Sequence, residues 1–99
     1  GIDIKTGEGT LVKPVLDGVV SRITYIRGHG NIIILDHGGG FSTVYSHLDN
    51  ITVHENEYVQ SINPMAKVAT PEKGNIAKLH FEVWGNQQKL NPEIWLVKN

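Results

Sequence analysis

The sequence predicts an all-β domain with no substantial helix. Turn-forming residues recur about every ten residues with short apolar runs between them, which is the spacing of a β-sandwich or barrel. Several of these runs alternate apolar and polar side chains, the period of a strand with one buried face. We therefore expect an antiparallel sheet and not a series of alternating strands and helices.

Eight segments carry this strand pattern. In chain order, the predicted strands are residues 10–15, 17–27, 31–37, 41–48, 51–54, 58–60, 65–70 and 77–84. Glycine-containing turns such as the Asp17–Gly18 pair and the three glycines at 38–40 separate them. Residues 91–99 are predicted to close the domain as an extended tail.

The segment 77–84 presents a row of chemically distinct side chains. Because side chains at i, i+2 and i+4 of a strand share a face, one face carries Lys78, His80, Glu82 and Trp84. The opposite face is entirely apolar and is expected to pack on the core. A cation, a candidate metal ligand and a carboxylate therefore lie side by side on the exposed face.

The five histidines differ in their local context. Alternation along 41–48 places His47 on the same face as Tyr45, available to face a groove. His37 precedes three glycines and is expected to hydrogen-bond the adjacent loop. His29 and His54 lie next to turns, where we expect solvated side chains with no role in chemistry.

Composition limits the function further. The 99 residues are expected to form one domain, 1–99, as the C-terminal part of a longer protein. Nine basic and ten acidic residues give a net charge of -1, which argues against a nucleic-acid partner or a lipid-binding basic patch. No apolar run approaches the length of a membrane span, so no membrane insertion is expected. The absence of cysteine removes thiolate chemistry.

Three segments, residues 1–20, 30–48 and 78–96, together resemble the LytM or lysostaphin-type domain of zinc endopeptidases that cut peptidoglycan cross-bridges. The resemblance implies a groove on an antiparallel β-sheet of the duplicated-hybrid or barrel-sandwich kind. In that family an H-x-G-x-D motif supplies two zinc ligands, and the second histidine of an H-x-H motif supplies the third.

The resemblance assigns roles to four residues. The letters GID match the end of the first motif, so Asp3 takes the aspartate ligand position, and the motif's histidine would precede Gly1. The letters KLH match H-x-H, so His80 takes the third ligand position. Lys78 stands where the family has its catalytic histidine, and His47 matches the other active-site histidine.

These departures disfavour catalysis. Two protein ligands are too few for a tight zinc site, which normally has three or more. A lysine, with an unperturbed pKa of about 10.4, is a poor general base at neutral pH. Its charge would also repel zinc, and it would instead pair with Asp3. We therefore expect no cofactor, with zinc bound only if a histidine ligand precedes Gly1.

Degenerate members of the family are murein hydrolase activators of the EnvC type, which the ending of this sequence resembles. The resemblance implies a noncatalytic domain of the bacterial cell envelope, periplasmic or extracytoplasmic, that regulates or scaffolds peptidoglycan hydrolysis. The implied partner is an amidase, another envelope hydrolase or a scaffold protein, with peptidoglycan itself as a further ligand. Tyr45, His47, Lys78 and His80 would line the partner groove.

Two alternatives remain open at this stage. The first is an active zinc endopeptidase whose first histidine ligand lies upstream of Gly1. The second, more distant, is a biotinyl- or lipoyl-like carrier domain, because residues 15–20 and 56–68 resemble the hairpins of those carriers. In that case Lys67 would be the modified lysine, although it lacks the usual flanking residues.

Overall fold

The computed structural model describes residues 1–71, 75–85 and 88–90, and all its regular structure is β-strand. The strands are β1 (Ile2–Lys5), β2 (Leu11–Val12), β3 (Gly18–Ile26), β4 (Gly30–Gly38), β5 (Phe41–Asp49), β6 (Tyr58–Val59), β7 (Ala66–Val68), β8 (Lys78–Gly85) and β9 (Gln88–Leu90). Within the described ranges, no helix has the length and apolar character needed to cross a membrane. The predicted all-β class is confirmed.

The strands form one antiparallel sheet in the order β1-β8-β5-β4-β3-β6. β7 pairs with both β5 and the short β2, and β9 pairs with the end of β8. The chain therefore brings its first strand beside β8, a strand more than seventy residues later. This pairing places the two segments that resemble the zinc-binding motifs next to each other.

One face of the sheet is buried. Alternate side chains of β4, β5 and β8 pack with residues from the loops and short strands in a single core. The core consists of Val12, Val20, Ile33, Leu35, Tyr45, Leu48, Val53, Val59, Met65, Ala66, Val68, Ala77, Phe81 and Val83. The predicted apolar face of the segment 77–84 is thus confirmed, and its row of polar side chains lies on the other, open face.

Three strand assignments differ from the sequence prediction, because β9 (Gln88–Leu90) was also not predicted. Residues 51–54 form no strand, because Thr52 N–H donates to the Met65 carbonyl and His54 N–H to the Glu57 carboxylate, so no ladder develops. β1 was not predicted, although its Ile-Asp-Ile-Lys alternation buries Ile2 and Ile4 in part against the core. The predicted tail at 91–99 lies outside the described residues.

Candidate functional site

The pairing of β1 with β8 assembles the charged row of the site. Asp3 lies opposite His80, and Lys5 lies opposite Lys78. The Asp3 carboxylate is shared, with Oδ2 3.3 Å from Lys78 Nζ and Oδ1 2.7 Å from His80 Nδ1. The hydrogen bond with His80 lowers the pKa of Asp3, with Lys78 adding to the effect. The predicted Lys78–Asp3 ion pair is therefore present.

The second nitrogen of the His80 ring also faces a carboxylate. His80 Nε2 lies 2.7 Å from Glu82 Oε2, and the Trp84 indole N–H donates to Glu82 Oε1 at 2.9 Å. A continuous chain of polar contacts thus runs along the open face from Lys78 to Trp84. Neighbouring side chains on this face therefore satisfy one another's polar groups.

This arrangement does not fit a zinc ion. The family ligand positions that the sequence supplies are Asp3 and His80, and their donor atoms bond to each other, to Lys78 and to Glu82. Among the described residues no three histidine, aspartate or glutamate side chains are placed to hold a metal. Zinc binding would require Asp3 to leave an ammonium group, which a metal cation would then approach.

His47 lies beside this row in a strained backbone conformation. Its φ of 64° is in the left-handed region, which is uncommon for a residue other than glycine. Two backbone hydrogen bonds of 2.8 Å hold His47 in this conformation. Its N–H donates to the His29 carbonyl, and its carbonyl accepts from the Ala69 N–H. Desolvation and the nearby charge of His80 lower the pKa of His47, which favours the neutral ring.

His29 joins the site, which the sequence did not indicate. Its ring centroid lies 6.4 Å from that of His47 and 6.3 Å from that of His80, and the latter two are 6.3 Å apart. Gly28 and Gly30, with φ of 89° and 75°, make the tight turn between β3 and β4 that carries His29 over β5. His29 is exposed in a turn, as predicted, but its ring lies beside those of His47 and His80, a proximity that the sequence did not indicate.

Tyr45 does not line the groove, contrary to the prediction. It is 1% exposed, and its ring centroid lies 5.4 Å from that of Phe81 in the core. Its hydroxyl accepts the Val15 N–H at 3.0 Å and is hydrogen-bonded to the Thr43 hydroxyl at 2.9 Å. The strict alternation assumed for 41–48 fails because the left-handed residue His47 interrupts it, so Tyr45 and His47 do not share a face.

The remaining sequence assignments concern residues outside the site. His37 has a structural role as predicted, with Nδ1 2.8 Å from the Asp17 carbonyl and Nε2 2.7 Å from the Thr43 hydroxyl. His54 is exposed in a loop, as expected. Lys67 lies within β7, opposite Leu11, and not at the tip of a hairpin where carrier domains present their lysine. The carrier alternative is therefore wrong.

The backbone at His47 leads to a stability prediction. Because an L-residue in the left-handed region costs roughly 1–2 kcal/mol, we expect His47→Gly to have a free energy of unfolding about 1 kcal/mol higher than His47→Ala. At His54, whose φ is not positive, we expect the glycine variant to be less stable than the alanine variant. Glycine there only increases the conformational entropy of the unfolded chain. Urea denaturation of the four variants measures both differences, and equal stability of the two His47 variants would contradict the assigned backbone.

Two depressions meet at the histidines. A cleft of about 860 Å³ lies between the β3–β4 turn and the loop before β8, with Tyr25, His47, Pro71, Ile76 and Lys78 among its walls. A shallower depression of about 560 Å³ covers the open face of β3, β4, β5 and β8, and His29 and Glu82 stand at its border with the cleft. We call the two depressions together the groove, because His29 of the second lies beside His47 of the first.

An antiparallel sheet that carries a polar row and a groove on its open face is the architecture of LytM-type peptidase domains. A comparison with sequence models of known protein families agrees with this architecture. The model of the Peptidase family M23 matches residues 1–92, and the chain belongs to this family.

Relatives and a solved structure make the likeness more specific. The chain is 30% identical to the murein hydrolase activator EnvC and 31% identical to the murein hydrolase activator NlpD, both of Escherichia coli, each over 97% of its length. It spans about a quarter of these relatives, 23% of EnvC and 25% of NlpD. A crystal structure of an M23 peptidase from Pseudomonas aeruginosa superposes with a TM-score of 0.87 at 27% identity, over 97% of this chain and 42% of that one.

Proposed function

We propose that this domain is a noncatalytic M23 domain that regulates peptidoglycan hydrolysis by binding a cell-wall hydrolase in its groove. The observation that carries the proposal is the 3.3 Å ion pair between Lys78 and Asp3. It puts an ammonium group at the family's catalytic position and engages the family's aspartate ligand at the same time.

The chemistry of peptide hydrolysis explains why this pair matters. When zinc is bound in an active member, it lowers the pKa of a water molecule to about 7 and polarises the scissile carbonyl. A general base must then take a proton, and a donor must stabilise the oxyanion. Lys78 is committed to Asp3, and both ring nitrogens of His80 face carboxylates. Asp3, Lys78 and His80 are therefore all engaged, and none of them is available to bind the metal or to transfer the proton.

The retained groove supports a binding role. Loss of catalysis has not closed the cleft, whose walls keep exposed aromatic and aliphatic side chains such as Tyr25 and Ile76, 66% and 61% exposed. Two relatives over nearly the whole chain are named murein hydrolase activators. We infer that the partner is an amidase or related hydrolase, and that the domain acts in the bacterial cell envelope. A scaffold role in a wall-synthesis complex would use the same groove.

An activity assay tests the proposal. The purified chain alone is expected to release no fragments from dye-labelled peptidoglycan, with or without added zinc. Added to purified amidases and endopeptidases from the source organism, it is expected to raise dye release by one of them several-fold.

The zinc endopeptidase alternative makes the opposite prediction in the same assay. Dye release by the chain alone with zinc, together with one tightly held zinc after dialysis, would overturn the proposed function. The matched control is Asp3→Ala, which removes the shared carboxylate. If the chain is a zinc enzyme, Asp3→Ala abolishes dye release. If a partner hydrolase cuts the peptidoglycan, dye release continues, and it falls only to the extent that Asp3 holds Lys78 in position.

A further inference from the structure

The edge of β3 that faces away from β4 is closed by backbone at its start and by one side chain further along. Over its first residues, β6 and the turn at residues 54–57 close it with backbone hydrogen bonds that reach as far as Val20. Beyond that point, the Ile23 N–H donates to Glu55 Oε2 at 2.9 Å. A single carboxylate therefore caps this edge where the backbone cover ends.

The same edge has no neighbouring strand at Tyr25. Alternate N–H groups of a strand point to opposite sides, so the Tyr25 N–H faces away from β4 as the Ile23 N–H does. Among the described residues, no strand pairs with β3 on this side beyond Val19. The side chains of Tyr25 and Ile26 are 66% and 49% exposed. An exposed apolar strand edge of this kind is a template for pairing with another chain.

The sequence of this edge suits a second copy of itself. In an antiparallel pair centred on Thr24 of each copy, Ile23 lies opposite Tyr25 of the second copy, and both residues direct their N–H and carbonyl groups across the interface. The facing side chains are then a β-branched residue with an aromatic one, and threonine with threonine, which are favourable cross-strand pairs. Arg22 lies opposite Ile26, so no like charges meet.

Glu55 blocks this pairing. An antiparallel partner needs the Ile23 N–H as a donor, and the Glu55 carboxylate already accepts it. The turn that carries Glu55 is held in place by its own hydrogen bonds. The Glu57 N–H donates to the His54 carbonyl at 3.1 Å, and the His54 N–H donates to Glu57 Oε1 at 2.9 Å. The carboxylate therefore belongs to a fixed turn and not to a freely moving loop.

We propose that the outer edge of β3, from Ile23 to Ile26, is a strand-pairing surface for a second copy of this chain, and that Glu55 holds it closed. Tyr25 also stands in the wall of the cleft, so pairing through this edge would cover part of that wall. Glu55 thus keeps the domain monomeric with its groove accessible. The inference is independent of the proposed function, because it concerns the edge of the sheet and not the occupant of the groove.

Matched variants of Glu55 test this role by sedimentation equilibrium. Glu55→Gln loses the charge but keeps an oxygen acceptor for the Ile23 N–H, whereas Glu55→Ala removes the acceptor. We expect the unmodified chain and Glu55→Gln to stay monomeric, and Glu55→Ala to dimerise with a Kd at least about tenfold lower than either. The amide spectrum of each variant verifies folding.

A second set of variants locates the contact. In the Glu55→Ala background, Tyr25→Pro removes an outward N–H, which an edge strand tolerates, and should abolish dimerisation. Ile62→Ala removes a side chain that is 73% exposed outside this edge and should leave the dimer intact.

Amide hydrogen exchange gives a readout that does not depend on the proline variant. The Ile23 and Tyr25 amides of Glu55→Ala should exchange at least about tenfold more slowly at high than at low protein concentration. The inference is overturned by a monomeric Glu55→Ala chain, by an unmodified chain that dimerises equally, by a dimer that survives a folded Tyr25→Pro substitution, or by protection confined to other strands.

Discussion

Tyr45→Ala is expected to lower the free energy of unfolding by about 3–5 kcal/mol, the cost of removing a buried aromatic side chain. Tyr45 is 1% exposed, packs on Phe81, and its hydroxyl is hydrogen-bonded to Val15 N–H and to the Thr43 hydroxyl. Because a domain of this size has only about 5–15 kcal/mol of stability, the variant should lose a large fraction of it. Urea denaturation measures the loss.

Two matched variants separate the causes. Tyr45→Phe keeps the packing but leaves Val15 N–H without its acceptor, so we expect a loss of about 1–3 kcal/mol. Tyr25→Ala removes a tyrosine that is 66% exposed and should stay within about 0.5 kcal/mol of the unmodified chain. A stable Tyr45→Ala domain with impaired partner binding would instead place Tyr45 in the groove, as the sequence alone had predicted.

Much of the fold was readable from local patterns. Period-two alternation and regularly spaced turns identified the long strands, and alternation along 77–84 placed Lys78 and His80 on one open face. The Lys78–Asp3 pair was also foreseen, because both positions match motifs that meet in the family. The open face of the segment 77–84 follows from strand geometry alone, whereas the Lys78–Asp3 pair depended on the resemblance to the family.

The misses arise where the chain departs from that geometry. The left-handed φ of His47 breaks the alternation of β5, so Tyr45 turns into the core while His47 stays at the groove. His29 reaches the site only because the β3–β4 turn folds over β5, a contact between residues 18 apart that leaves no periodic signal. A histidine between two glycines in a predicted hairpin turn is the one clue that the sequence offered.

Lys78→Ala is expected to weaken binding of the partner hydrolase by about 2 kcal/mol or more, roughly thirtyfold in Kd, while changing the stability of the domain by less than about 1 kcal/mol. The two effects separate because Lys78 and Asp3 are each 45% exposed, and an ion pair that exposed contributes little to folding. In a groove covered by a partner, water is excluded and the same cation becomes an anchor.

A second variant, His29→Ala, tests hydrolase binding at the histidine to which the sequence assigned no role. Because the His29 ring is within 6.4 Å of both other imidazoles, its loss should weaken hydrolase binding by a similar amount. His54→Ala, at an exposed loop position outside the groove, is the matched control and should bind normally. Calorimetric titration of the hydrolase with the three variants decides the matter. If Lys78→Ala and His29→Ala bind as tightly as His54→Ala, the old active-site groove is a vestige and the hydrolase binds elsewhere on the domain.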